Sequence, residues 1–198
     1  MKPYAKLKLP VEIKNKNFIP ESVDLVQTPK WQYGFTNPRE SLTEEAYEFF
    51  SDIFKGEVYV QIHCGGAGDT MPIHVDGRIR DGKMNCPRPW AVNYPWGSNV
   101  SGKMYWYKEK IATPELAGNF QVNATSAFKG YCPGWKLDEV EAYESTIVDT
   151  TTLINIIIPH NVINYDPINI RWALSIRPDV NQWEWDEAWQ LFEPYFVE

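Results

Sequence analysis

The chain has 198 residues, of which 43% are apolar and 23% charged. That size and mixture suit a folded globular protein and exclude a disordered, fibrous or collagen-like one. The formal net charge of −7 and the lack of any long basic run disfavour nucleic acid and anionic membrane as partners.

The first 40 residues alternate short apolar pieces with Pro and Asn, which predicts an N-terminal arm with one or two edge strands. No apolar leader-like run follows Lys2, Lys6 and Lys8, so a secretory signal is not expected. Ser41 and Glu44 have the spacing of a capping box ahead of Tyr47, Phe49, Phe50 and Phe54. They predict a helix that Gly56 stops.

From Glu57 to Ile176, short β-branched and aromatic runs are separated by Gly, Pro, Asn and Asp. Strands are predicted at 57–63, 71–76, 90–94, 103–108, 145–149, 152–158 and 170–176. The segment from Leu153 to Pro159 is the longest apolar one, far too short to cross a bilayer, and reads as a buried strand. Because no helices alternate with these runs, an antiparallel sandwich or barrel is expected rather than a parallel α/β sheet. Residues 181–193 predict a closing amphipathic helix, with Trp185 and Trp189 one turn apart. The fold class is therefore mainly β, a jelly roll with a few flanking helices. Residues 1–198 are expected to form a single domain, with its core over about 57–177.

Three cysteines, Cys64, Cys86 and Cys132, lack C-x-x-C spacing and suggest neither a disulfide framework nor a thiolate zinc site. A reducing cytoplasm is the expected location, and the N-x-S/T sequons at Asn99 and Asn123 are expected to be incidental.

The chemistry concentrates around two of the three histidines. His74 and Asp76 are two apart on a predicted strand, so both side chains leave one face, and an Asp-Gly turn at 76–77 opens that strand end to a site. His160 ends the apolar run Ile156-Ile157-Ile158-Pro159, where an unpaired ring nitrogen is costly and calls for a metal, a carbonyl or water. Two His and one carboxylate with open positions form the ligand set of non-haem Fe(II) oxygenases. Beyond His160, Arg171, Ala173 and Ser175 share one face of a predicted strand, and Trp172, Leu174 and Ile176 share the other. If the second set packs into another layer, Arg171 points inward and needs an anion, for which its fork suits a carboxylate.

The order His74-x-Asp76, His160, Arg171 resembles the 2-oxoglutarate/Fe(II)-dependent oxygenase superfamily, whose fold is a double-stranded β-helix (jelly roll, cupin-like). Ala91-Val92-Asn93-Tyr94-Pro95 followed by Met104-Tyr105-Trp106-Tyr107 is similar to uncharacterised, phage-type members, and the likeness covers roughly 57–177. The resemblance implies a dioxygenase with Fe(II) held by His74, Asp76 and His160, and with 2-oxoglutarate as cosubstrate anchored by Arg171. Asn93 and Tyr105 are implied to touch cosubstrate or substrate. Many members have R-x-S where position 173 is Ala, so Ser175 is the nearest residue for the serine's role.

Plainer readings stand beside these. H-x-D by itself is common, and only its conjunction with His160 and Arg171 gives it weight. Arg171 can instead make a structural salt bridge, with Arg177 as the anchor. His63 shares a face with Tyr59 and Gln61 and reads as a hydrogen-bonded wall residue rather than a ligand. Gly65-Gly66-Ala67-Gly68 lacks the Gly-Lys-Ser/Thr of a phosphate loop and reads as a turn. Arg78, Arg80, Lys83 and Arg88 form a basic stretch that, beside a metal, would attract an anionic substrate. The substrate is left open between a small molecule and a peptidyl group, as is the oligomeric state. A jelly-roll binding or structural module without turnover is the alternative function, and a cupin-like metal enzyme without cosubstrate is a third.

Overall fold

A computed structural model describes residues 1–20, 23–27, 31–76, 78–80, 83–85, 89–97, 101–110, 134–178 and 184–197. Both sequons, Cys86, Cys132, Gly77, Arg88 and the predicted start of the last helix at 181–183 lie outside the described residues.

The strands form two main antiparallel sheets. The larger one contains β1 (Tyr4–Lys6), β2 (Val26–Gln27), β3 (Trp31–Thr36), β4 (Val58–Gly65), β8 (Trp90–Trp96), β12 (Thr152–Asn155) and β14 (Arg171–Pro178). Their order across the sheet is β1-β12-β8-β14-β4-β3-β2. The smaller sheet contains β5 (Ile73–His74), β9 (Lys103–Glu109), β10 (Gly134–Trp135), β11 (Val140–Ile147) and β13 (His160–Ile163), in the order β10-β5-β13-β9-β11. A separate hairpin, β6 (Arg78–Arg80) and β7 (Lys83–Asn85), occupies the predicted basic stretch. The two sheets make a double-stranded β-helix, the mainly β fold expected.

Side-chain alternation explains the layering, because successive residues of a strand leave opposite faces. Val58, Val60 and Ile62 of β4, Trp90 and Val92 of β8, Leu153 of β12, and Leu174 and Ile176 of β14 are buried in one cluster on the outer face of the larger sheet. Helix α2 (Glu44–Phe54) covers that face with Ala46, Phe50 and Phe54, and α3 (Trp185–Phe192) adds Trp185, Ala188 and Phe192. Between the sheets, Ala91, Met104, Trp106, Ile154 and Ile156 form a second cluster. Trp106 is stacked on Tyr4 and donates from Nε1 to the carbonyl of Asn155 at 2.9 Å. Ile73, Val75, Tyr107, Trp135 and Val140 make a third cluster on the far side of the smaller sheet. No helix among the described residues is long and apolar enough to cross a membrane.

Several expected boundaries move for identifiable reasons. Ser41 ends a short preceding helix, α1 (Pro38–Ser41), and the N-cap of α2 is Thr43, whose hydroxyl accepts from the Ala46 N–H at 3.1 Å. The left-handed residue that stops α2 is Lys55, at φ 49°, with the Gly56 N–H closing on the Ser51 carbonyl one position later. The strand expected at 145–149 begins at Val140. A register shift between Ala142 and Glu144 breaks its period of two and hides it from pattern reading. The run expected at 152–158 ends at Asn155, and the chain then crosses to the smaller sheet to form β13.

Candidate metal centre and its cleft

His74 sits on β5 and His160 opens β13, and the two are Cα partners across the ladder joining those strands. Directly opposed residues carry their side chains on the same face within a few ångströms, and the imidazole centroids are 4.6 Å apart. Asp76 lies just past the end of β5, so the expected strand at 71–76 is shorter than its pattern suggested. Its backbone is nonetheless fixed, because the Asp76 N–H donates to the Ile156 carbonyl at 2.9 Å. Asp76 Oδ1 is 3.1 Å from His74 Nε2 and 3.9 Å from His160 Nε2. One ligand atom from each of the three residues lies within 4.8 Å of the others.

The protonation pattern follows from the backbone. His74 Nδ1 is 2.8 Å from the Pro72 carbonyl, and His160 Nδ1 is 2.8 Å from the Ile158 carbonyl. A carbonyl only accepts, so each Nδ1 is held as the donor and each ring turns its Nε2 toward Asp76. Two imidazole nitrogens and a carboxylate oxygen gathered around one point make a donor set suited to a divalent cation. Metal–ligand bonds of about 2.1 Å place neighbouring ligand atoms about 3 Å apart; the Asp76–His74 separation of 3.1 Å is close to that, and the Asp76–His160 separation of 3.9 Å is wider. Burial, with His74 beside it, pulls His160 down to about 4, so that ring is neutral and ready to ligate at physiological pH.

Arg177, further along β14, holds Asp76. Its Nη2 donates to Asp76 Oδ2 at 2.8 Å and its Nε to Ser175 Oγ at 3.0 Å. Burial alone would raise the Asp76 carboxyl. The Arg177 guanidinium and the contact with His74 outweigh it and keep the group well below the usual carboxylate range. Sequence alternation at 171, 173 and 175 extends to 177, but nothing in it signals this pairing with Asp76.

The cleft beside these residues encloses about 650 Å³ out to its open mouth and is lined by Asp76, His160, Arg171, Ser175, Asn93 and His63, among others. Met71, Met104, Ile154, Ile156 and Val162 supply apolar wall. Arg171 projects inward as expected, while Leu174 and Ile176 pack in the outer cluster. Arg171 is only 6% exposed, and its Nε and Nη2 are buried with no hydrogen-bond partner among the described residues. Burial lowers its pKa to about 10. The cradle for this guanidinium depends on Gly102, because a Cβ there would run into Arg171 Nε and Cδ. An enclosed cation with two idle donors, on the same strand as Arg177, has the chemistry to receive an anion.

Asn93 and Ser175 are register partners on β8 and β14, and both line the cleft, with Asn93 Oδ1 buried and unpartnered among the described residues. Tyr105 is brought elsewhere. Met104 and Trp106 of β9 face the space between the sheets, so Tyr105 and Tyr107 leave the other face, where the Tyr105 hydroxyl meets that of Tyr165 at 2.8 Å. His63 lines the cleft and is not one of the three clustered residues. The glycine run at 65–68 is a turn, with Gly68 at φ 70° and the carbonyls of Gly65 and Gly66 accepting from Asn164 Nδ2.

No protein-family model matches the sequence, and no curated protein matches it. Among solved structures, the chain is similar to a prolyl-4-hydroxylase from Pseudomonas putida, at 12% identity and a TM-score of 0.43, covering 83% of this chain and 79% of that one. It is also similar to HygX from Streptomyces hygroscopicus with nickel and 2-oxoglutarate bound, at 13% identity and a TM-score of 0.38, covering 90% and 84%. A third is the Lactobacillus farciminis oxalate decarboxylase formate complex, at 6% identity and a TM-score of 0.38; the match covers 86% of this chain but spans only 36% of that chain's length.

Proposed function

We propose that the protein is a 2-oxoglutarate- and Fe(II)-dependent oxygenase. One observation carries this: a His-Asp-His cluster with converging ligand atoms opens into the same cleft as a buried guanidinium that has idle donors. His74, Asp76 and His160 would hold Fe(II), and Arg171 would pair with the carboxylate of 2-oxoglutarate remote from the metal. When bound, Fe(II) and 2-oxoglutarate supply the oxidising power, activating dioxygen as the keto acid becomes succinate and carbon dioxide.

The chain's own part is positioning and exclusion of water. The Pro72 and Ile158 carbonyls fix both imidazoles in the ligating tautomer. Arg177 occupies Asp76 Oδ2 and thereby leaves Oδ1 toward the two Nε2 atoms, which removes Arg177 as the first choice for the cosubstrate anchor. Asn93 and Ser175 line the cleft and would contact the cosubstrate, whereas Tyr105 is not among the lining residues. The methionine and isoleucine walls keep the surroundings of a reactive centre apolar. A small molecule or peptidyl group is the substrate we assign to the remaining space.

Adding Fe(II) and 2-oxoglutarate anaerobically should give a weak visible charge-transfer band that is absent in His74→Ala. A wild-type protein that binds Fe(II) but shows no band would refute the assignment. A band without succinate formation across a broad substrate set would instead favour a binding module.

A further inference from the structure

The two arginines that line the cleft are both committed, Arg177 to Asp76 at 2.8 Å and Arg171 to the cosubstrate assigned to it. A charged group on the substrate is then left to be met beyond the cleft wall, and the β6–β7 hairpin is the element that begins there. It forms a two-stranded sheet of its own and joins neither main sheet. It opens two residues beyond Asp76, whose backbone is pinned by the Ile156 carbonyl. Two Cα steps of about 3.8 Å keep position 78 within about 8 Å of Asp76 Cα.

The hairpin register sets Arg78 opposite Asn85, Ile79 opposite Met84 and Arg80 opposite Lys83. Opposed positions of an antiparallel ladder share a face, and successive positions alternate. Positions 78, 80, 83 and 85 therefore fall on one face, carrying three cationic residues and an amide, with 79 and 84 on the other. Like charges directly opposite weaken a ladder, and a two-stranded hairpin by itself is marginally stable in water. Setting Arg80 against Lys83 thus costs stability that an anion shared between them would restore.

Charge also selects the anion. A carboxylate would neutralise one of three cations, whereas a phosphate monoester brings about −1.5 to −2 at pH 7 and three acceptor oxygens that suit an arginine fork. The hairpin has only Asp81 against its three cations, so the net charge of −7 resides in the rest of the chain. An extended polyanion would be repelled by that remainder; a single phosphate group, held within a Debye length of about 8 Å, would not. Resting on the oxygenase assignment, we propose that the substrate is a small molecule carrying a phosphate group, and that Arg78, Arg80 and Lys83 of the hairpin bind that phosphate beside the metal.

Phenyl phosphate is the probe, titrated anaerobically into protein loaded with Fe(II) and 2-oxoglutarate and followed by phosphorus NMR. Phenol is the uncharged comparison, and Zn(II)-loaded protein is the diamagnetic reference. Phenyl phosphate should bind about tenfold or more tightly than phenol, and its phosphorus resonance should broaden more with Fe(II) than with Zn(II). Arg78→Gln, Arg80→Gln and Lys83→Gln together should weaken phenyl phosphate by about tenfold to a hundredfold, with phenol within about twofold and the 2-oxoglutarate charge-transfer band retained. Arg80→Glu with Lys83→Glu should reverse the preference, so that benzylamine binds more tightly than phenyl phosphate. A merely structural role for the hairpin would produce no such reversal. With the band intact in wild type, phenyl phosphate that binds no better than phenol, that shows no extra broadening by Fe(II), or that binds the triple variant like wild type would overturn the phosphate assignment and leave the oxygenase assignment standing. A wild type without the band removes the oxygenase assignment, and the substrate role of the hairpin with it.

Discussion

Arg171→Met should make the ligand-free protein more stable while abolishing its response to 2-oxoglutarate. The guanidinium is 6% exposed, and two of its nitrogens are buried without a partner among the described residues. Its fall from 12.5 to about 10 corresponds to ~3 kcal/mol against the charged form. Replacing buried ionic groups by apolar ones of similar size is neutral or stabilising by about 1–4 kcal/mol. Allowing for lost packing of the fork against Gly102, the net gain should be about 2 kcal/mol, or roughly 4–8 °C in Tm for a chain of this length. Saturating 2-oxoglutarate, at a hundred times its Kd, adds about 2.7 kcal/mol to the metal-loaded wild type and nothing to the variant. Thermal unfolding with and without 2-oxoglutarate reads both effects. A ligand-free variant melting clearly below wild type, or one that 2-oxoglutarate stabilises equally, would refute the view of Arg171 as an anion receptor held at a cost.

Gly102→Ala should displace the Arg171 guanidinium and weaken 2-oxoglutarate binding by about tenfold or more with Fe(II) affinity intact; parallel titrations check the split. His160 gives a pH dependence of definite sign. Its folded value of about 4 lies below the ordinary 6.5, so between those pH values the unfolded chain binds more protons. Metal-free stability should be full above pH 6.5 and decline as pH falls toward 4, by up to ~3 kcal/mol. Urea midpoints at pH 7.5 and 5 should separate accordingly, and His160→Gln should narrow the gap. An unchanged gap in that variant would count against the assignment.

Much of the fold was legible in the sequence, because alternation is a local property. On β14, Leu174 and Ile176 take the outer cluster and Arg171, Ala173 and Ser175 the cleft, as the pattern of that one strand requires. On β4 the buried positions fall at Val58, Val60, Ile62 and Cys64, which puts His63 on the opposite face without knowledge of any partner strand. The helix at 44–54 follows from its aromatic spacing, although its cap does not: Ser41, Thr43 and Asn37 all have capping chemistry, and tertiary contacts decide among them. Where both faces of a strand are apolar, as on β9, composition could not say that Met104 and Trp106 face the space between the sheets and Tyr105 faces away.

The sequence alone singled out candidate metal-ligating and anion-pairing residues, and alternation gave the face of β14 that Arg171 shares with Ala173 and Ser175. Their meeting was decided by tertiary structure. His160 is opposite His74 only because of the β5–β13 register, and Asp76 is clasped by an arginine 101 residues away. Pairing register and long-range ion pairs depend on how separate segments dock, and local periodicity does not encode that.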